Sequence, residues 1–566
     1  GNRMVQMIAA DMPFLAWDEV LYRGEPVALV AAPTVEEAEA ARRAVTVEMD
    51  PLPATLTLDE LVARHRDPAR RGELHELARW NIQHGDAAGA IAGADVVLER
   101  HYTTPHQEQA YLETNAMIAV PEPDGRMRVE GSMQCPYYVA PAVAGMLGTD
   151  LDRLHVLALP MGGAFGGKED YPSLLGGHAA LLARLSGRPV RMLLQRAEDV
   201  AYTTKRHPAW MRLRGGVTRD GGLAGIEIDI VFDGGAYITM SPVVLSRGAI
   251  HAAGPYAWPA VQIDAVAYRT HTPPNGAFRG FGVPQVAFAI ECFVDELAHA
   301  AGIEPHDFRL RNRLRPGDRT ATSQVLDHTV ASREVLEQAL ARTDFAARRA
   351  EPDGDGAVAR GVGMSLFWHG AGFTGGGEAR IAAEVALDLA DDGRAHIRVS
   401  STDMGQGAHT VLPQIAAESL GVPTDHVVVD PVDTAQVPDS GPTVASRTTM
   451  IVGGELALAA ADARAFLLAE VAAERGLEAE QLRLERGQVL AGEQPLGSFA
   501  ELVPRVLSRR GEQRRAFLRR HQLAPQLRWD EARHRGDAYA TFAWGCCVAE
   551  VELDLRLYEV RVPRLT

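Results

Sequence analysis

Glycine-rich turns that carry polar side chains constrain this chain more than any other feature of its sequence. The densest turn spans residues 161–169 and reads M-G-G-A-F-G-G-K-E. Because glycine lacks a Cβ atom, the backbone N–H groups of such a loop can approach an anionic or oxo ligand closely. The loop imitates the G-x-x-x-x-G-K of a phosphate-binding loop, but Glu169 stands where that motif needs a Ser or Thr hydroxyl for Mg²⁺. A tight turn between a strand and a helix is the structural alternative.

Three further segments of this kind follow: 275–282 (N-G-A-F-R-G-F-G), 403–407 (D-M-G-Q-G) and 439–446 (D-S-G-P-T-V-A-S). Each offers backbone donors plus amide, hydroxyl or guanidinium groups, which together can grip a large phosphate-bearing cofactor without a metal ligand from the protein. One such segment alone is typical of a structural turn, whereas four in one chain favour a cofactor site. Residues 370–375 also match the G-x-G-x-x-G of dinucleotide sites, but they lead into a hairpin rather than a helix.

Composition excludes several classes of protein. The chain has 566 residues, 46% of them hydrophobic and 23% charged, which is typical of a folded globular protein and excludes disorder and collagen-like repeats. Lys plus Arg number 57 and Asp plus Glu 74, a formal net charge of −17, so general binding to nucleic acids or anionic membranes is not expected. The locally basic segment 505–535 is interpreted as a solvated face or a subunit contact.

The chain has only four cysteines, at positions 135, 292, 546 and 547, and no C-x-x-C pair. An iron–sulfur cluster or zinc ribbon held by this chain alone is therefore not expected. The low cysteine content suits a reducing cytoplasm. The first residues show no signal-peptide pattern, and the longest apolar stretches are too short or too interrupted to span a bilayer.

Hydrophobic periodicity predicts an α+β (mixed α/β) fold. Residues 26–30 are expected to form a strand and residues 35–45 a helix. Ile226, Ile228 and Ile230 alternate with acidic residues, the pattern of a half-buried strand. Apolar residues between 286 and 297 share one helical face, and residues 385–399 read as a hairpin. The charged stretch near 64–79 is interpreted as a solvated linker.

Together these motifs resemble the molybdopterin-binding subunit of the xanthine dehydrogenase and aldehyde oxidase family. The family's G-G-G-F-G-G-K-E appears at 162–169 with alanine in third place, and its F-R-G-F-G-x-P-Q at 278–285. Its M-G-Q-G appears at 404–407, and its S-P-T-A-A-S is close to 441–446. Gln134 matches the glutamine that precedes the glycine loop.

The resemblance implies a domain order. Residues 1–60 would be the later part of an α/β hammerhead domain, 61–79 a linker, 80–320 a first molybdopterin-binding domain and 345–566 a second, truncated one. The chain begins without Met and is expected to be incomplete at both ends.

The resemblance also implies a cofactor and its contacts. The cofactor would be molybdopterin with Mo, either as such or in its cytosine dinucleotide form, with no direct protein ligand to the metal. Residues near the metal would be Gln134, Phe165 and Arg279, with the backbone of Gly166 beside the oxo group. The full set of expected cofactor-binding residues is Gln134, Gly163, Phe165, Gly166, Arg279, Gly405, Gln406, Thr443 and Ser446.

Four residues are expected to bind substrate by the same resemblance: Glu169, Arg247, Phe281 and Phe367. Glu169 and Arg247 match the pair that purine-hydroxylating members direct at the heterocycle. A carboxyl group can hydrogen-bond ring nitrogens, and a guanidinium stabilises negative charge that develops on the ring. The alternative is that Glu169 only pairs with Lys168 or Arg247 on a surface. Where purine oxidases have Phe-Thr, this chain has Leu366-Phe367, so either Phe367 or Trp368 would supply the stacking ring.

The resemblance predicts oxidative hydroxylation of a purine such as xanthine or hypoxanthine, with water as the oxygen source. Aldehyde or other N-heterocycle oxidation is the alternative within the family, and a non-catalytic fragment is the alternative outside it. The family's catalytic base, a Glu in a G-x-G-E-P-P motif, has no counterpart in this sequence, so no catalytic residue is assigned and a second chain could complete the site. Iron–sulfur ([2Fe–2S]) and FAD partner subunits, a cytoplasmic location, no membrane span and no nucleic-acid partner are expected.

Overall fold

The alternation of Ile226, Ile228 and Ile230 is confirmed as a strand at the centre of a five-stranded sheet in a computed structural model, which describes residues 4–5, 7–351, 356–381, 383–522 and 527–566. The isoleucines are buried, whereas the acidic residues between them form ion pairs with arginines of the neighbouring strand. One face of the sheet therefore packs on the core and the other carries charge. The strands lie in the order Glu76–His84, Val261–Tyr268, Leu223–Asp233, Ala209–Val217 and Val96–Thr104.

Helices cover the buried face of this first sheet. The helix expected near 286–297 is confirmed as Val283–Ala300, and it begins with proline in its first turn, where the missing N–H costs no hydrogen bond. Its apolar face packs against the isoleucines of the central strand in one core cluster. The other helices of this part of the chain are Ala87–Ala92, Arg196–Tyr202, Ser241–His251 and Pro305–Asn312.

A second five-stranded sheet combines strands that are distant in sequence. Four of its strands lie between residues 116 and 193, and helices Pro136–Leu147 and Tyr171–Ser186 pack against it. Its edge strand is Val432–Asp433, which pairs with Leu154–Ala158. The two halves of the chain therefore share one sheet. The strand order is Val432–Asp433, Leu154–Ala158, Met127–Gly131, Ala116–Pro121 and Val190–Leu193.

The second half of the chain builds three more sheets. The expected hairpin is confirmed as Glu384–Ala390 and Ala395–Arg398, within a four-stranded sheet completed by Val427–Val429 and Arg514–Arg520. Its core is closed by helices Ala408–Leu420, Gly453–Arg475 and Phe499–Arg510. The other two sheets are Val358–Gly370 with Phe542–Asp554 and Glu559–Leu565, and Leu482–Glu485 with Gln488–Ala491 and Gln494–Ser498. The mixed α/β class is as predicted.

Smaller elements complete the described chain. Two short strand pairs occur, and helices Ser332–Thr343 and Phe345–Arg349 precede the strand at 358–370. None of the helices in the described residues is long and apolar enough to cross a bilayer. The remaining elements are strands Met4–Val5, Met12–Pro13, Trp529–Asp530 and Arg535–Gly536, the 3-10 turns Arg71–Glu73, Leu151–Arg153, Gly375–Arg380, Thr424–His426 and Ala479–Gln481, and the π turn Thr448–Val452.

The N-terminal region differs from the sequence prediction in two places. Residues 26–30 form no strand, although the helix expected after them is present as Val35–Ala44. The segment 61–79 is not a solvated linker, because it contains the end of helix Leu58–Arg66 and the start of strand Glu76–His84. Leu61 and Val62 are buried against apolar residues of the first sheet, a contact that the surrounding charges conceal in the sequence.

Several arginines in the described part of the basic segment 505–535 form ion pairs within the chain. Arg509 and Arg510 form ion pairs with Glu470 and Glu474 of the preceding long helix, and Arg519 pairs with Asp462. These contacts join helix Phe499–Arg510 and strand Arg514–Arg520 to helix Gly453–Arg475. The local excess of arginine is therefore balanced by acidic residues nearby.

A buried ion pair joins helices Val283–Ala300 and Pro305–Asn312 to strand Val358–Gly370. Arg309 is fully buried, and its guanidinium contacts Glu291 at 2.9 Å and the carbonyl of Met364 at 3.3 Å. Glu291 also accepts the N–H of Leu366 at 2.7 Å. Buried charges are stable only when they are paired and hydrogen-bonded, so each partner depends on the other.

We expect Arg309→Met to lower the free energy of unfolding by about 3–5 kcal/mol, because it leaves the carboxylate of Glu291 buried and unpaired. The matched control is Arg333→Met, which removes a solvent-exposed pair with Glu337 and should leave the free energy of unfolding nearly unchanged. Thermal and denaturant unfolding of the two variants measures the difference. Equal effects would contradict a special role for the buried pair.

Candidate active site

The side-chain amide of Gln134 connects two of the four glycine-rich segments. Its Oε1 accepts the N–H of Gly166 at 3.0 Å, and its Nε2 donates to the carbonyl of Thr443 at 3.2 Å. The backbone N–H of Gln134 donates to the carbonyl of Lys168 at 2.8 Å. A neutral amide can accept and donate at once, so this one side chain holds segment 161–169 beside segment 439–446.

The glycine loop also contacts segment 275–282. The carbonyl of Phe165 accepts the N–H of Arg279 at 2.9 Å. Gly166 has φ +103°, and a Cβ atom there would lie 2.7 Å from the backbone of Ala277. Only glycine allows the two backbones to approach this closely. Gly163 has a positive φ as well.

Segment 403–407 joins through Thr402. The N–H of Thr402 donates to Thr443 Oγ1 at 2.9 Å, and its carbonyl accepts Gln406 Nε2 at 3.0 Å. Gly405 and Gly407 have positive φ angles, and nothing lies within 4 Å of the position a Cβ would take at either residue. This turn therefore leaves open space at the common surface of the four segments.

A fifth segment, 370–375, reaches the site through Ser446. Its hydroxyl accepts the N–H of Gly372 at 2.7 Å, and the carbonyl of Gly372 accepts Arg247 Nη2 at 3.2 Å. Arg247 Nε donates to Thr374 Oγ1 at 3.3 Å. In the sequence this segment shows only a weak dinucleotide pattern, whereas the structure makes it the connection between Ser446 and Arg247.

Three of the glycine-rich segments contain a residue with a strained backbone. Phe165, Phe281 and Ala445 each have a φ of +53°, in the left-handed region that residues with a Cβ atom rarely adopt. Each such residue costs about 1–3 kcal/mol, and strain of this kind clusters at functional sites. The strained residues lie on three different glycine-rich segments that the structure brings together.

Glu169 and Arg247 are both buried, with 4% and 3% of their surface exposed. Burial raises the pKa of Glu169 well above its usual value; neighbouring Asp170 adds to this rise and Arg247 opposes it. Burial also raises the pKa of Asp170 to about 7, while the N–H of Ala277 opposes the rise. Lys168 pairs with Glu113 at 3.1 Å, so the alternative of a surface Lys168–Glu169 pair is wrong.

The structure places the predicted site residues in two groups. Phe165, Arg279, Gly405, Gln406 and Ser446 are exposed around the open space, whereas Gln134 and Thr443 are buried beneath them. Phe281 packs its ring 5.8 Å from the guanidinium carbon of Arg247.

Phe367 is not brought to this site. It lies 37% exposed in a surface pocket of about 320 Å³ that also contains Phe288 and Cys292. The reason is the alternation of strand Val358–Gly370, which buries Leu366 and Trp368 and turns Phe367 to the other face.

Sequence reasoning missed several residues of the site. Asp170, Thr374 and Tyr539 are buried beside Glu169 and Arg247. His251 donates from Nδ1 to the carbonyl of Arg247 and accepts the N–H of Gly370 at Nε2. Only the neighbourhood of the glycine motifs could have pointed to Asp170 and Thr374, and no sequence signal marks His251 or Tyr539.

Comparisons with known proteins identify the family. Two profiles, each described as a molybdopterin cofactor-binding domain, match residues 70–313 and 338–566. A probable xanthine dehydrogenase subunit of Bacillus subtilis (strain 168) is 34% identical over 457 residues, 80% of this chain and 60% of the relative. The nicotinate dehydrogenase large molybdopterin subunit of Eubacterium barkeri is 34% identical over 339 residues, 60% of this chain and 79% of the relative.

A solved structure agrees with these sequence relatives. The aldehyde oxidoreductase of Desulfovibrio gigas superposes with a TM-score of 0.84 at 25% identity, covering 100% of this chain and 60% of that one. The chain belongs to the xanthine dehydrogenase and aldehyde oxidase family of molybdenum hydroxylases. It spans 60% of the length of the Bacillus relative and of the Desulfovibrio protein.

The residues present fit a molybdopterin cofactor. The left-handed turn at Gly405 and Gly407 leaves room for a group that a Cβ atom would obstruct. The buried hydroxyl oxygen of Thr402, within the same cradle, has no hydrogen-bond partner among the described residues. The residues that the structure describes also contain no cluster of three or more His, Cys, Asp or Glu side chains that could hold a metal ion.

The hydrogen bond from Gly166 N–H to Gln134 can be tested by hydrogen exchange. We expect Gln134→Ala to speed exchange in the peptide covering 161–169 about 5-fold, since one hydrogen bond contributes about 1 kcal/mol. Gln134→Glu keeps the acceptor oxygen and should preserve most of the protection. Helix Tyr171–Ser186 is the internal control, because its exchange should not change. Equal exchange of peptide 161–169 in Gln134→Ala and Gln134→Glu would contradict the hydrogen bond between Gly166 and Gln134.

Proposed function

We propose that this chain forms the molybdopterin-binding part of a hydroxylase that oxidises a purine, such as xanthine or hypoxanthine, or a closely related N-heterocycle, with water as the oxygen source. The observation that carries the proposal is the buried pair Glu169 and Arg247, brought to the glycine-rich segments by the fold. The xanthine dehydrogenase and nicotinate dehydrogenase relatives support a heterocyclic substrate.

Arg247 is suited to a substrate on which negative charge develops. Its guanidinium is almost completely buried, donates to Thr374 and Gly372, and has no ion-pair partner among the residues that the structure describes. A buried cation that lacks a carboxylate partner is costly in the free protein. A ligand that brings or develops negative charge would compensate that cost, most strongly in the transition state.

Glu169 is suited to hydrogen-bond the ring. Burial and the neighbouring Asp170 raise the pKa of Glu169, which favours its protonated form, and in that form the side chain can donate to a ring nitrogen or a ring carbonyl. Asp170 is buried beside it, and two neighbouring carboxyl groups cannot both ionise cheaply. Glu169 as donor and Arg247 as cation would together orient an electron-poor heterocycle.

The cofactor, when bound, would supply the redox chemistry and the oxygen-transfer centre. Gln134, Phe165 and Arg279 would lie near the metal, together with the backbone of Gly163 and Gly166. At the pterin, Gly405, Gln406, Thr443 and Ser446 would hold the polar edge. Phe281, whose ring lies against Arg247, would form a wall of the substrate pocket.

The rest of the machinery is proposed to lie on other chains or segments. The catalytic base would come from a Glu outside the 566 residues of this sequence. Electrons would leave through an iron–sulfur subunit with [2Fe–2S] clusters and an FAD subunit in the cytoplasm. The cofactor would be molybdopterin as such or its cytosine dinucleotide form.

Two alternatives can be tested beside this proposal. Oxidation of an aldehyde is favoured by the likeness to the Desulfovibrio aldehyde oxidoreductase. A non-catalytic, cofactor-binding fragment is the alternative outside this chemistry. Full molybdenum occupancy without turnover in the complete complex would support the fragment, and turnover of aldehydes unaffected by Glu169→Ala would support aldehyde oxidation.

Arg247→Ala tests the proposed substrate contact. We expect kcat/KM for the heterocycle to fall by about 10²–10³, since losing one donor to developing charge raises the barrier by about 2.7–4 kcal/mol. Arg247→Lys keeps the charge but loses the forked geometry, so its loss should be intermediate. Molybdenum content serves as the control. A variant that lost its molybdenum, or oxidised xanthine at the parental rate, would show that the assignment is wrong.

Gln406→Ala tests the proposed pterin contact. Gln406 accepts the N–H of Met404 at 2.8 Å and donates to Thr402, so its loss opens the turn that leaves space for the cofactor. We expect molybdenum and pterin content to fall severalfold, measured by metal analysis and pterin fluorescence. Gln436→Ala, which removes an exposed amide bonded to Asp433, is the matched control and should retain the cofactor.

A further inference from the structure

The guanidinium of Arg247 is surrounded by aromatic rings. Its central carbon lies 5.5 Å from the ring centre of Phe373, 5.7 Å from that of Tyr539 and 5.8 Å from that of Phe281. Ring faces attract a cation but fix its in-plane direction only weakly. The direction of the fork is therefore set by its two hydrogen bonds, to Thr374 Oγ1 and to the carbonyl of Gly372, together with a direct interaction with the hydroxyl of Tyr539.

Thr374 has a second partner that fixes its hydroxyl. Its Oγ1 lies 2.8 Å from the hydroxyl of Tyr539, and both side chains are buried. A threonine hydroxyl carries one hydrogen and two lone pairs, so a bond to Tyr539 decides which lone pair faces Arg247. Without that bond the hydroxyl of Thr374 can rotate, and its contact with Arg247 Nε weakens.

Tyr539 is itself held rigidly, although it lies 165 residues from Thr374 in sequence. The side-chain amide of Gln324 donates to the carbonyl of Tyr539 at 2.7 Å and accepts the N–H of Ala538 at 3.1 Å. The ring of Tyr539 also packs 5.5 Å from that of His251. Burial raises the pKa of Tyr539, with Arg247 opposing, so its hydroxyl keeps its proton at neutral pH.

We propose that Thr374 and Tyr539 are positioning residues that aim Arg247, and that they thereby determine how strongly the pocket prefers an anionic ligand over a neutral one. The inference rests on the proposed role of Arg247 as a substrate contact. A guanidinium has five N–H donors, and the contacts with Thr374, Gly372 and Tyr539 occupy only some of them, so the others would serve a ligand. Charge-assisted hydrogen bonds depend on direction, so an anion loses more than its neutral analogue when the fork can turn.

The test uses nicotinate and nicotinamide, which share one ring and differ in charge, as ligands of the complete cofactor-loaded complex. In Tyr539→Phe and Thr374→Val we expect nicotinate to bind about 3–10-fold more weakly, the effect of one lost hydrogen bond, with nicotinamide changed less than about 2-fold. Thr374→Ser retains the hydroxyl and should restore the preference. Calorimetry or competitive inhibition measures the two dissociation constants.

The matched control is Tyr256→Phe, which removes a buried hydroxyl bonded to Glu291 away from Arg247. It should leave the ratio of the two affinities unchanged. Equal weakening of both ligands in Tyr539→Phe, no change in either, or a wild-type complex without preference for nicotinate would overturn the inference. Arg247→Ala distinguishes failure of the positioning role from failure of the proposed substrate contact. If Arg247→Ala removes the preference for nicotinate and Tyr539→Phe does not, only the positioning role is wrong. If Arg247→Ala has no effect on the preference, the proposed substrate contact is wrong as well.

Discussion

The two hydrogen bonds of the Gln134 side chain are the contact on which the site depends. One reaches the glycine loop and the other reaches the turn that precedes the long helix of the second domain. No charged side chain could replace this amide, because a carboxylate only accepts and an ammonium only donates. This neutral group thus holds the glycine loop at hydrogen-bonding distance from segment 439–446, and the pairing of Val432–Asp433 with Leu154–Ala158 joins the same two halves.

The site divides its polar groups by depth. Arg279, Gln406 and Ser446, which are expected to face the cofactor, are exposed, so a large polar ligand can meet them without prior rearrangement. Gln134 and Thr443 lie buried beneath them. Glu169 and Arg247 are buried, where the local dielectric is lower and each electrostatic contact is stronger. This arrangement separates retention of a cofactor, which needs many modest contacts, from selection of a substrate, which needs a few strong ones.

Sequence reasoning reached the fold class and the segments of the site because both leave short-range signals. Alternating isoleucines, the apolar helix face near 290 and the glycine motifs all appear within a few residues of each other. The sequence places Phe367 at the site, whereas the structure places it on the opposite face of its strand. A one-residue shift along a strand reverses the face on which a side chain lies. The burial of Leu61 and Val62 cannot be predicted from the charged sequence around them, because their partners lie far away in the chain. The role of Tyr539 is hidden for the same reason, since its partner Thr374 is also distant in sequence.

The shared sheet has a consequence for synthesis of the chain. Strand Leu154–Ala158 is made well before its partner Val432–Asp433, and a contact between these regions joins residues 278 positions apart. At the usual rate of translation this interval lasts roughly 15–60 s, during which the strand has an open edge on a nascent chain. An open edge can pair with another chain, so a bound chaperone or slow release from the ribosome would favour correct assembly. The architecture that unites the two halves thus makes the newly synthesised polypeptide vulnerable to aggregation.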